Sequence, residues 1–456
     1  MIDVIMDITE AEQQEYLAYK SPQDFFCNLE SGIREIERYS FEDYKRKAVL
    51  VCGGMIGFDK GLSEFLNSWN CKEKNLFLLS EVTAQYRRYT KERIKFPFIC
   101  TPHLLAKEIF LIGMPIQVTE DMIKLSKEKA YVKEAILNME GKYRGLGEGY
   151  AMAWSYYAYQ YIIKLLEKLQ PQKVVLWNEF YAFHYIFQGI CIERQIPVEY
   201  IEFGCIPGTI CIEAGGQQGE SLVSVQYNDF QEKEVTSKEI AEAKKVLRYL
   251  KKTGMNRNPQ PEIKLTKNML ISWKSGRKTI LYLGQNDYES GMYPYSCKTE
   301  KFHSPVFQST LEGLEYLNLL AVEQGWNLIF KPHPIIASLE YEEYNAIQDV
   351  DVVTEVNLNA LIDEVDLVIT ILSQGAYVSL IRKKPVLMLG YTQLRGKQCT
   401  YEAFHKSEIK EKIQEALQYG YTRRQKRMFQ KHTAQLLKYY LYDDGTPRDF
   451  QWGKSL

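Results

Sequence analysis

A histidine lies between two prolines in the tetrapeptide Lys331-Pro332-His333-Pro334, directly after an apolar run. Each proline fixes its own φ, and Pro334 disfavours the α region for His333, so the imidazole can point in only a narrow range of directions. The apolar run predicts a strand, and ligands of α/β sheets gather at the carboxyl ends of strands. Together the ammonium and the imidazole can hold a phosphate or protonate one as it leaves. A stiff turn capped by the histidine is the alternative interpretation.

A second pattern suited to phosphate is Ser373-Gln374-Gly375, which separates a predicted strand from a predicted helix. Ser373 is a typical N-cap, and Gly375 lets a ligand approach the backbone closely. The free N–H groups and the dipole at a helix start favour an anion. An ordinary strand-to-helix turn has the same composition, but a Lys-Pro-His-Pro strand end in the same predicted domain favours phosphate binding.

A carboxylate ends another predicted strand, in the segment YIEFGCIPGTICIEAGGQQGES. Glu202 lies at the strand end, Gly204 begins a loop of glycine and proline turns, and Glu213 is a second acid within that loop. Glu202 can act as a general acid or base on an acceptor. A solvated or lysine-paired glutamate is the structural alternative, although a glycine-rich loop ordered by a proline and β-branched residues is typical of functional loops.

A polar loop with two acids follows the predicted strand TILYLG and contains Gln285, Asp287 and Glu289 within five positions. This loop is expected near the mouth of a ligand cleft. Most loops with such acids are only solvated, so spacing alone does not separate a reactive acid from a surface one.

Weaker candidates lie in the first half of the chain. Gly53 and Gly54 follow the first predicted strand without matching a dinucleotide or Walker motif, and Asn178 follows the strand KVVLW. We expect these three residues, together with Gly204 and Glu213, on the acceptor side of a site. Asp349 and Asp351 have the spacing of a metal-binding pair, but they flank a strand start, so we predict no metal site.

Composition limits the function classes. The chain has 456 residues, with 57 basic and 58 acidic side chains, and this balance excludes a nucleic-acid binder driven by bulk charge. Nine cysteines without a CxxC pair indicate free thiols in a reducing cytoplasm and disfavour zinc. Neither a signal peptide nor a run long enough to cross a membrane is recognisable, so we expect a cytoplasmic protein.

Alternating short apolar strands and helices predict an α/β fold with parallel sheets covered on both faces. We predict an N-terminal Rossmann-like domain over 1–255, a linker over 256–275 and a second Rossmann-like domain over 276–420. The two domains should face each other across a cleft. The helical segment 421–456 should pack back on the first domain, with its basic run either solvated or touching an anionic membrane surface.

Four of these segments together resemble the capsule polysaccharide biosynthesis family of bacterial glycosyltransferases, of the Kdo-transferase type. The glycine- and proline-containing loop after Glu202 resembles the family's glutamate–glycine–proline loop, and Lys-Pro-His-Pro resembles its HP motif. ILSQGAYVSLIRKKPVLMLG is similar to its serine–glycine helix start with a following KPV strand, and LGQNDYES to its glutamine–acid–serine loop. HP motifs of this kind also occur in bacterial sialyltransferases of GT-B architecture.

The resemblance implies the GT-B architecture and transfer of a sugar from a nucleotide donor, CMP-Kdo first and CMP-sialic acid second. The C-terminal domain would hold the nucleotide, without a metal or another cofactor. The residues that would bind it are Gln285, Lys331, His333, Ser373, Gln374 and Gly375. Glu202 would serve as acid or base on the acceptor. In a retaining reaction, Asp287 or Glu289 would be the nucleophile, and the family spacing fits neither cleanly; Asp287 is preferred.

One departure leaves the donor open, because Tyr377 stands where the family often has an acid that contacts ribose. UDP- or GDP-sugars therefore remain alternatives. Two other function classes also fit the sequence: a nucleotide-sugar epimerase or phosphotransferase, and a non-catalytic assembly or lipid-carrier-binding subunit. The expected partners are a nucleotide-sugar donor, a glycan or glycolipid acceptor, and a peripheral contact with the inner membrane or with other polysaccharide-assembly proteins.

Overall fold

The computed structural model describes residues 22–53, 56, 59–80, 90–100, 116–143, 149–257, 273, 276–334, 338–446 and 448–455. The chain forms two compact units. The N-terminal unit comprises Met1–Glu202 with Asp444–Pro447 and Leu456, and the C-terminal unit comprises Phe203–Asp443 with Arg448–Ser455.

The N-terminal unit has a parallel sheet of five strands in the order β5-β4-β1-β2-β3. The strands are β1 (Val49–Cys52), β2 (Leu76–Ser80), β3 (Phe98–Cys100), β4 (Lys173–Trp177) and β5 (Val198–Phe203). Strands β1 and β2 are buried along their whole length, as expected for apolar runs covered by helices on both faces. The order of the strands is that of a Rossmann sheet, with its switch point between β1 and β4.

Six helices accompany this sheet: α1 (Pro22–Arg38), α2 (Lys60–Glu73), α3 (Glu120–Glu128), α4 (Ala130–Lys142), α5 (Tyr150–Leu169) and α6 (Ala182–Glu193). Helix α5 is central among them, because it packs against α1, α3, α4 and α6. Its buried side chains recur at three- and four-residue intervals and join the strands in one apolar core.

The C-terminal unit contains a parallel sheet of six strands in the order β12-β11-β10-β7-β8-β9. The strands are β7 (Thr279–Leu283), β8 (Asn327–Lys331), β9 (Asp351–Val352), β10 (Leu367–Thr370), β11 (Val386–Met388) and β12 (Tyr401–Glu402). This is again the Rossmann order, with its switch point between β7 and β10. Two further strands of this unit, β6 (Thr209–Glu213) and β13 (Leu441–Asp443), pair antiparallel with each other.

The helices of the C-terminal unit are α7 (Leu222–Val225), α8 (Tyr227–Glu232), α9 (Ser237–Thr253), α10 (Cys297–Phe302), α11 (Thr310–Gln324), α12 (Ser338–Asn345), α13 (Leu358–Glu364), α14 (Gly375–Ile381), α15 (Lys406–Tyr419) and α16 (Arg423–Tyr439). Two 3₁₀ turns, Gln218–Glu220 and Asp287–Glu289, lie in the loops after β6 and β7. Helix α9 packs against α16 and α14, so the segment before the predicted linker is part of this unit.

The predicted α/β class, with two parallel-sheet units and a helical C-terminal region, is confirmed. The division between the units differs from the predicted domain boundaries, because it falls after Glu202 rather than at 256–275. The physical reason is that β6 pairs with β13 near the C-terminus and α9 packs on α16, so the segment from β6 to α9 belongs to the second unit. The predicted linker lies largely outside the described residues.

Candidate functional site

The C-terminal ends of β7 and β10 lie side by side in the C-terminal unit, at the point where the strand order reverses. Ligands of doubly wound sheets bind at this position. Gln285 joins the two loops that start here, because its Oε1 accepts a hydrogen bond from the backbone N–H of Leu372 at 3.4 Å. Gly375 lets the second loop approach closely, since a Cβ there would lie 2.5 Å from Leu283 Cδ1.

Both carboxylate oxygens of Asp287 are used within the protein. Oδ2 accepts from the backbone N–H of Thr310 at 2.7 Å, and Oδ1 accepts from the Thr310 hydroxyl at 2.6 Å and from Gln285 Nε2 at 2.8 Å. Burial raises the pKa of Asp287, although these three hydrogen bonds act in the opposite direction. This carboxylate therefore fastens the loop after β7 to the start of α11.

Glu289 occupies the end of the same 3₁₀ turn, and its side chain is only half-buried, whereas Asp287 is 8% exposed. The structure thus separates the two acids that the sequence left in competition. Glu289 is the one that a bound ligand can reach with less rearrangement.

Lys331 ends β8 and projects its ammonium towards the loop after β9, where Nζ donates to the carbonyl oxygen of Thr354 at 2.6 Å. Burial lowers the pKa of Lys331 to about 8. Among the residues that the structure describes, no carboxylate forms an ion pair with this ammonium, so the Thr354 carbonyl offsets only part of the cost of burial. His333 is half-buried two residues further on.

The turn after β10 differs in detail from the prediction. Ser373 was predicted as the N-cap, but Gln374 takes that position, with no side-chain hydrogen bond of its own to the helix. The hydroxyl of Ser373 instead accepts from the N–H of Gly375 at 3.2 Å. Helix α14 has only seven residues, so a dipole at its start can contribute little to anion binding.

Gln374 connects this turn to the loop after β6. Its Nε2 donates to Oε1 of Gln218 at 3.2 Å, and its own Oε1 is buried without a hydrogen-bond partner. The 3₁₀ turn that carries Gln218 fits only a glycine at its centre, because a Cβ at Gly219 would lie 1.6 Å from the carbonyl oxygen of Phe302. The buried oxygen of Gln374 is an acceptor that a ligand can use.

The sequence analysis did not predict a cluster next to this turn that joins the half-buried Glu220 to the exposed Lys298 and the buried His303. Glu220 accepts from Lys298 Nζ at 2.9 Å and from His303 Nε2 at 3.0 Å. Burial raises the pKa of Glu220, but the hydrogen bonds from His303 and Lys298 outweigh it and hold the pKa below its usual value. Burial lowers the pKa of His303, against the effect of Glu220. The partners are 83 positions apart, so only the acidic residue in a glycine-rich loop was a signal.

Gly204 and Glu213 were predicted on the acceptor side of the first domain, and the structure places both in the C-terminal unit. A Cβ at Gly204 would lie 2.0 Å from Thr209 Oγ1, so this glycine permits the tight turn into β6. Glu213 accepts from the N–H groups of Gly215 at 3.0 Å and Leu222 at 3.1 Å, and burial raises its pKa. Both residues thus shape the loop that carries Gln218.

The remaining acceptor-side candidates lie in the N-terminal unit. Gly53 and Asn178 follow β1 and β4, the two strands at its switch point, and a Cβ at Gly53 would lie 2.3 Å from Trp177 Cβ. The side chain of Asn178 accepts from the N–H of Phe180 at 2.8 Å. Glu202 is in β5 and is 8% exposed. Gly54 lies outside the described residues.

Within the described ranges, no group of three or more histidine, cysteine, aspartate or glutamate side chains is arranged to hold a metal ion. Asp351, half of the aspartate pair noted in the sequence, accepts from the indole N–H of Trp273 at 2.7 Å. A search of the same ranges also finds no helix that is long and apolar enough to span a membrane.

Several solved structures resemble this chain weakly. Thermosulfurimonas dismutans KpsC, beta Kdo 2,4 transferase, matches with a TM-score of 0.41 and 15% identity, over 59% of this chain and 81% of that chain. The beta Kdo 2,7 transferase of the same KpsC matches with a TM-score of 0.38 and 17% identity, over 71% and 89%. A Methanocaldococcus jannaschii UDP-GlcNAc 2-epimerase matches with a TM-score of 0.37 and 11% identity, over 84% of this chain and 98% of that chain. Scores this low carry no information about activity.

Comparison of the sequence with family models gives more specific information than these structural matches. No curated protein matches this chain. The family model described as capsule polysaccharide biosynthesis protein matches residues 301–442, which contain Lys331, His333 and the turn from Ser373 to Gly375. The family match that the sequence motifs predicted is therefore confirmed over residues 301–442, the part of the chain that is similar to capsule polysaccharide biosynthesis proteins.

Proposed function

We propose that this chain is a glycosyltransferase that takes a sugar from a nucleotide donor, and that the donor phosphate binds at the switch point of the C-terminal unit. The observation that carries this proposal is Lys331, a half-buried lysine whose pKa burial lowers to about 8 and whose ammonium pairs with no carboxylate among the described residues. Burial of an unpaired cation is costly, and perturbed groups of this kind concentrate at functional sites. A phosphate would supply the missing negative charge.

The neighbouring residues fit the rest of a nucleotide. Only one of the three N–H groups of the Lys331 ammonium is used by Thr354, which leaves donors for phosphate oxygens. His333, held between two prolines, protonates or hydrogen-bonds the phosphate as the nucleotide departs. The buried Oε1 of Gln374 accepts from a ribose hydroxyl or an amino group of the base, and Gly375 allows the backbone to approach it.

The structure supports different roles for the two acids after β7. Asp287 is a positioning residue, because both of its oxygens hold Thr310 and Gln285. Glu289 is the proposed nucleophile of a retaining reaction, since it is half-buried and lies two residues further along the same 3₁₀ turn. Glu202 is the proposed acid or base for the acceptor, with Gly53, Gly54 and Asn178 as acceptor-side residues.

The proposed donor is CMP-Kdo or a related CMP-ulosonic acid, and the acceptor is a growing surface glycan or a glycolipid. This choice rests on the capsule polysaccharide family match over 301–442 and on the motifs that suggested it. UDP- and GDP-sugars are the alternative donors. A cytoplasmic location and independence of a metal cofactor are parts of the same proposal.

A thermal-shift titration with CMP, UDP, GDP and ADP is the first test, because a ligand that binds only the folded state raises the melting temperature. We expect a selective shift with CMP. A selective shift with UDP or GDP would keep the transferase and reject the CMP donor. A changed free nucleotide sugar formed without acceptor would replace the transferase by an epimerase, and no shift with any of the four would contradict a nucleotide site.

A further inference from the structure

A second concave surface lies in the C-terminal unit, between helices α9, α14 and α16, and encloses a volume of about 900 Å³. One wall is formed by α9, which contributes Lys244, Arg248 and Lys251 at spacings of four and three residues. Residues with this spacing lie on one face of a helix. We call this surface the basic groove.

The opposite wall of the basic groove is formed by α16, which contributes Arg423, Lys426 and Arg427 from its first turns. Lys383, directly after α14, adds a seventh cation, and all seven side chains are exposed. None of the described residues that line the groove is acidic, and the seven cations form no ion pair within 4.0 Å in the described part of the chain. Two rows of like charge therefore face each other without an acidic residue in the described lining between them.

The effect of this crowding is visible at Lys251. Burial lowers the pKa of its ammonium, and the positive charge of Lys383 lowers it further, against the opposite effect of Asp363 outside the groove lining. Like charges held this close are destabilising by themselves, so the arrangement is costly to the free protein. An anionic ligand between the two walls would relieve the repulsion.

The floor of the basic groove is apolar and partly aromatic. Leu247, Leu380 and Phe429 line it, together with Tyr421. The hydroxyl of Tyr421 is buried without a hydrogen-bond partner. A ligand of this surface therefore combines negative charges at its edges with faces that pack on aliphatic and aromatic groups, and it offers a hydroxyl or carbonyl to Tyr421.

We propose that the basic groove binds a linear acidic glycan, that is, a chain of sugars that carry carboxylates or phosphates along its length. Sugar rings present C–H faces to an apolar floor while their acidic substituents reach both walls. A flat membrane surface would contact the rims and leave the floor empty. The near-zero net charge of the chain disfavours nucleic acid. The choice of a glycan also rests on the proposed function.

The basic groove is a different place from the proposed donor site. Helix α14 begins at Gly375, beside the switch point, and its other end at Ile381 lines the groove. A seven-residue helix spans about 10 Å, so the two sites lie at opposite ends of it. We infer that the groove holds product or acceptor chain away from the reacting end, which would favour repeated transfer to one chain over release.

Binding of a fluorescein-labelled oligogalacturonate, measured by anisotropy at low and at physiological salt, tests the proposal. The test variant is Lys244→Glu with Arg248→Glu, and the matched control is Lys245→Glu with Lys252→Glu, which makes the same charge change on α9 outside the groove lining. We expect the test variant to bind roughly tenfold or more weakly and the control to stay near the parent, with affinity falling as salt rises.

A second variant, Arg423→Gln with Arg427→Gln, examines the opposite wall and keeps the proposal testable if the first variant misfolds. Equal weakening by the test and control variants would overturn the proposal, since it would indicate bulk charge alone. Tighter binding of double-stranded DNA or of phosphatidylglycerol vesicles through the same residues would also overturn it. The CMP thermal shift should be unchanged in every variant, so loss of the groove and failure of the donor site give different results.

Discussion

The role of Asp287 can be tested by replacing the carboxylate with the amide of the same shape, Asp287→Asn. The carboxylate accepts at both oxygens, from the backbone N–H and hydroxyl of Thr310 and from Gln285 Nε2. An amide has one acceptor, so in either orientation it turns an NH₂ group towards a buried donor. Rotation of the Gln285 amide does not repair this, because its Oε1 already accepts from Leu372 N–H.

The magnitude follows from this count. A buried donor left without an acceptor costs about 1–3 kcal/mol, and removal of a buried charge returns part of that, so we expect a net loss of about 1–2 kcal/mol in the free energy of unfolding. For a unit of this size, such a loss lowers the melting temperature of its transition by roughly 2–8 °C. The exposed acid Asp349 is a matched control, and Asp349→Asn should change stability by less than about 0.5 kcal/mol.

The assay is urea unfolding of Asp287→Asn, Thr310→Val and the double variant, with donor turnover measured for each. The two substitutions should be non-additive by about 0.5 kcal/mol or more, because the residues share hydrogen bonds. Turnover should fall in both single variants, since each releases the loop that carries Glu289. If Asp287→Asn kept full stability and lost all turnover, the carboxylate would act chemically, and our assignment of Asp287 as a positioning residue would be refuted.

Three further predictions follow from the site. Gly219→Ala should destabilise the C-terminal unit severely and abolish nucleotide binding, because the new Cβ would lie 1.6 Å from a backbone carbonyl oxygen. The control Gly215→Ala should be tolerated, because the nearest atoms to its new Cβ lie at 3.4 Å. Thermal unfolding followed by circular dichroism and titration with CMP test both expectations. Burial lowers the pKa of Lys331 to about 8, so the free protein loses this positive charge as the pH rises through that value. The affinity for CMP should therefore fall above about pH 8 in the parent protein but not in Lys331→Arg, whose guanidinium stays charged. Titrations with CMP at pH 7 and pH 9 would show this difference. Glu289→Gln and Glu202→Gln should each reduce turnover by at least roughly a hundredfold while leaving CMP affinity within about twofold, and near-normal turnover in either would remove that residue from the reaction.

Much of the C-terminal unit could be predicted from the sequence, because its longer strands have apolar centres and are separated by helical segments. The ends of β7, β8 and β10 fall where the motifs of Gln285, Lys331 and Ser373 begin, so the predicted nucleotide residues lie at the ends of neighbouring strands. The order of the strands in the sheet could not be predicted from the sequence. The switch point, which makes these strand ends a ligand-binding position, could therefore not be predicted either.

The rest depends on contacts between distant segments. The pairing of β6 with β13 moves Gly204 and Glu213 into the C-terminal unit, and no local pattern reveals a partner more than two hundred positions away. The Glu220–His303 pair could not be predicted for the same reason, because its two residues are 83 positions apart. The burial of Asp287 and the hydrogen bonds to both of its oxygens also cannot be read from an acid in a polar loop.

The central claim is that Lys331 binds the phosphate of the donor. The most direct test is calorimetric titration of CMP into three proteins: the parent, the variant Lys331→Met and the control Lys278→Met. Lys278 is an exposed lysine next to the amino end of β7, paired with Asp366 at 3.0 Å, so its loss should matter little. A charge-assisted hydrogen bond contributes about 1.5–3 kcal/mol, so we expect Lys331→Met to weaken CMP binding roughly tenfold to a hundredfold, with Lys278→Met unchanged. Equal affinity for CMP in all three proteins would contradict the account, since the lysine would then be buried for a reason unrelated to a nucleotide.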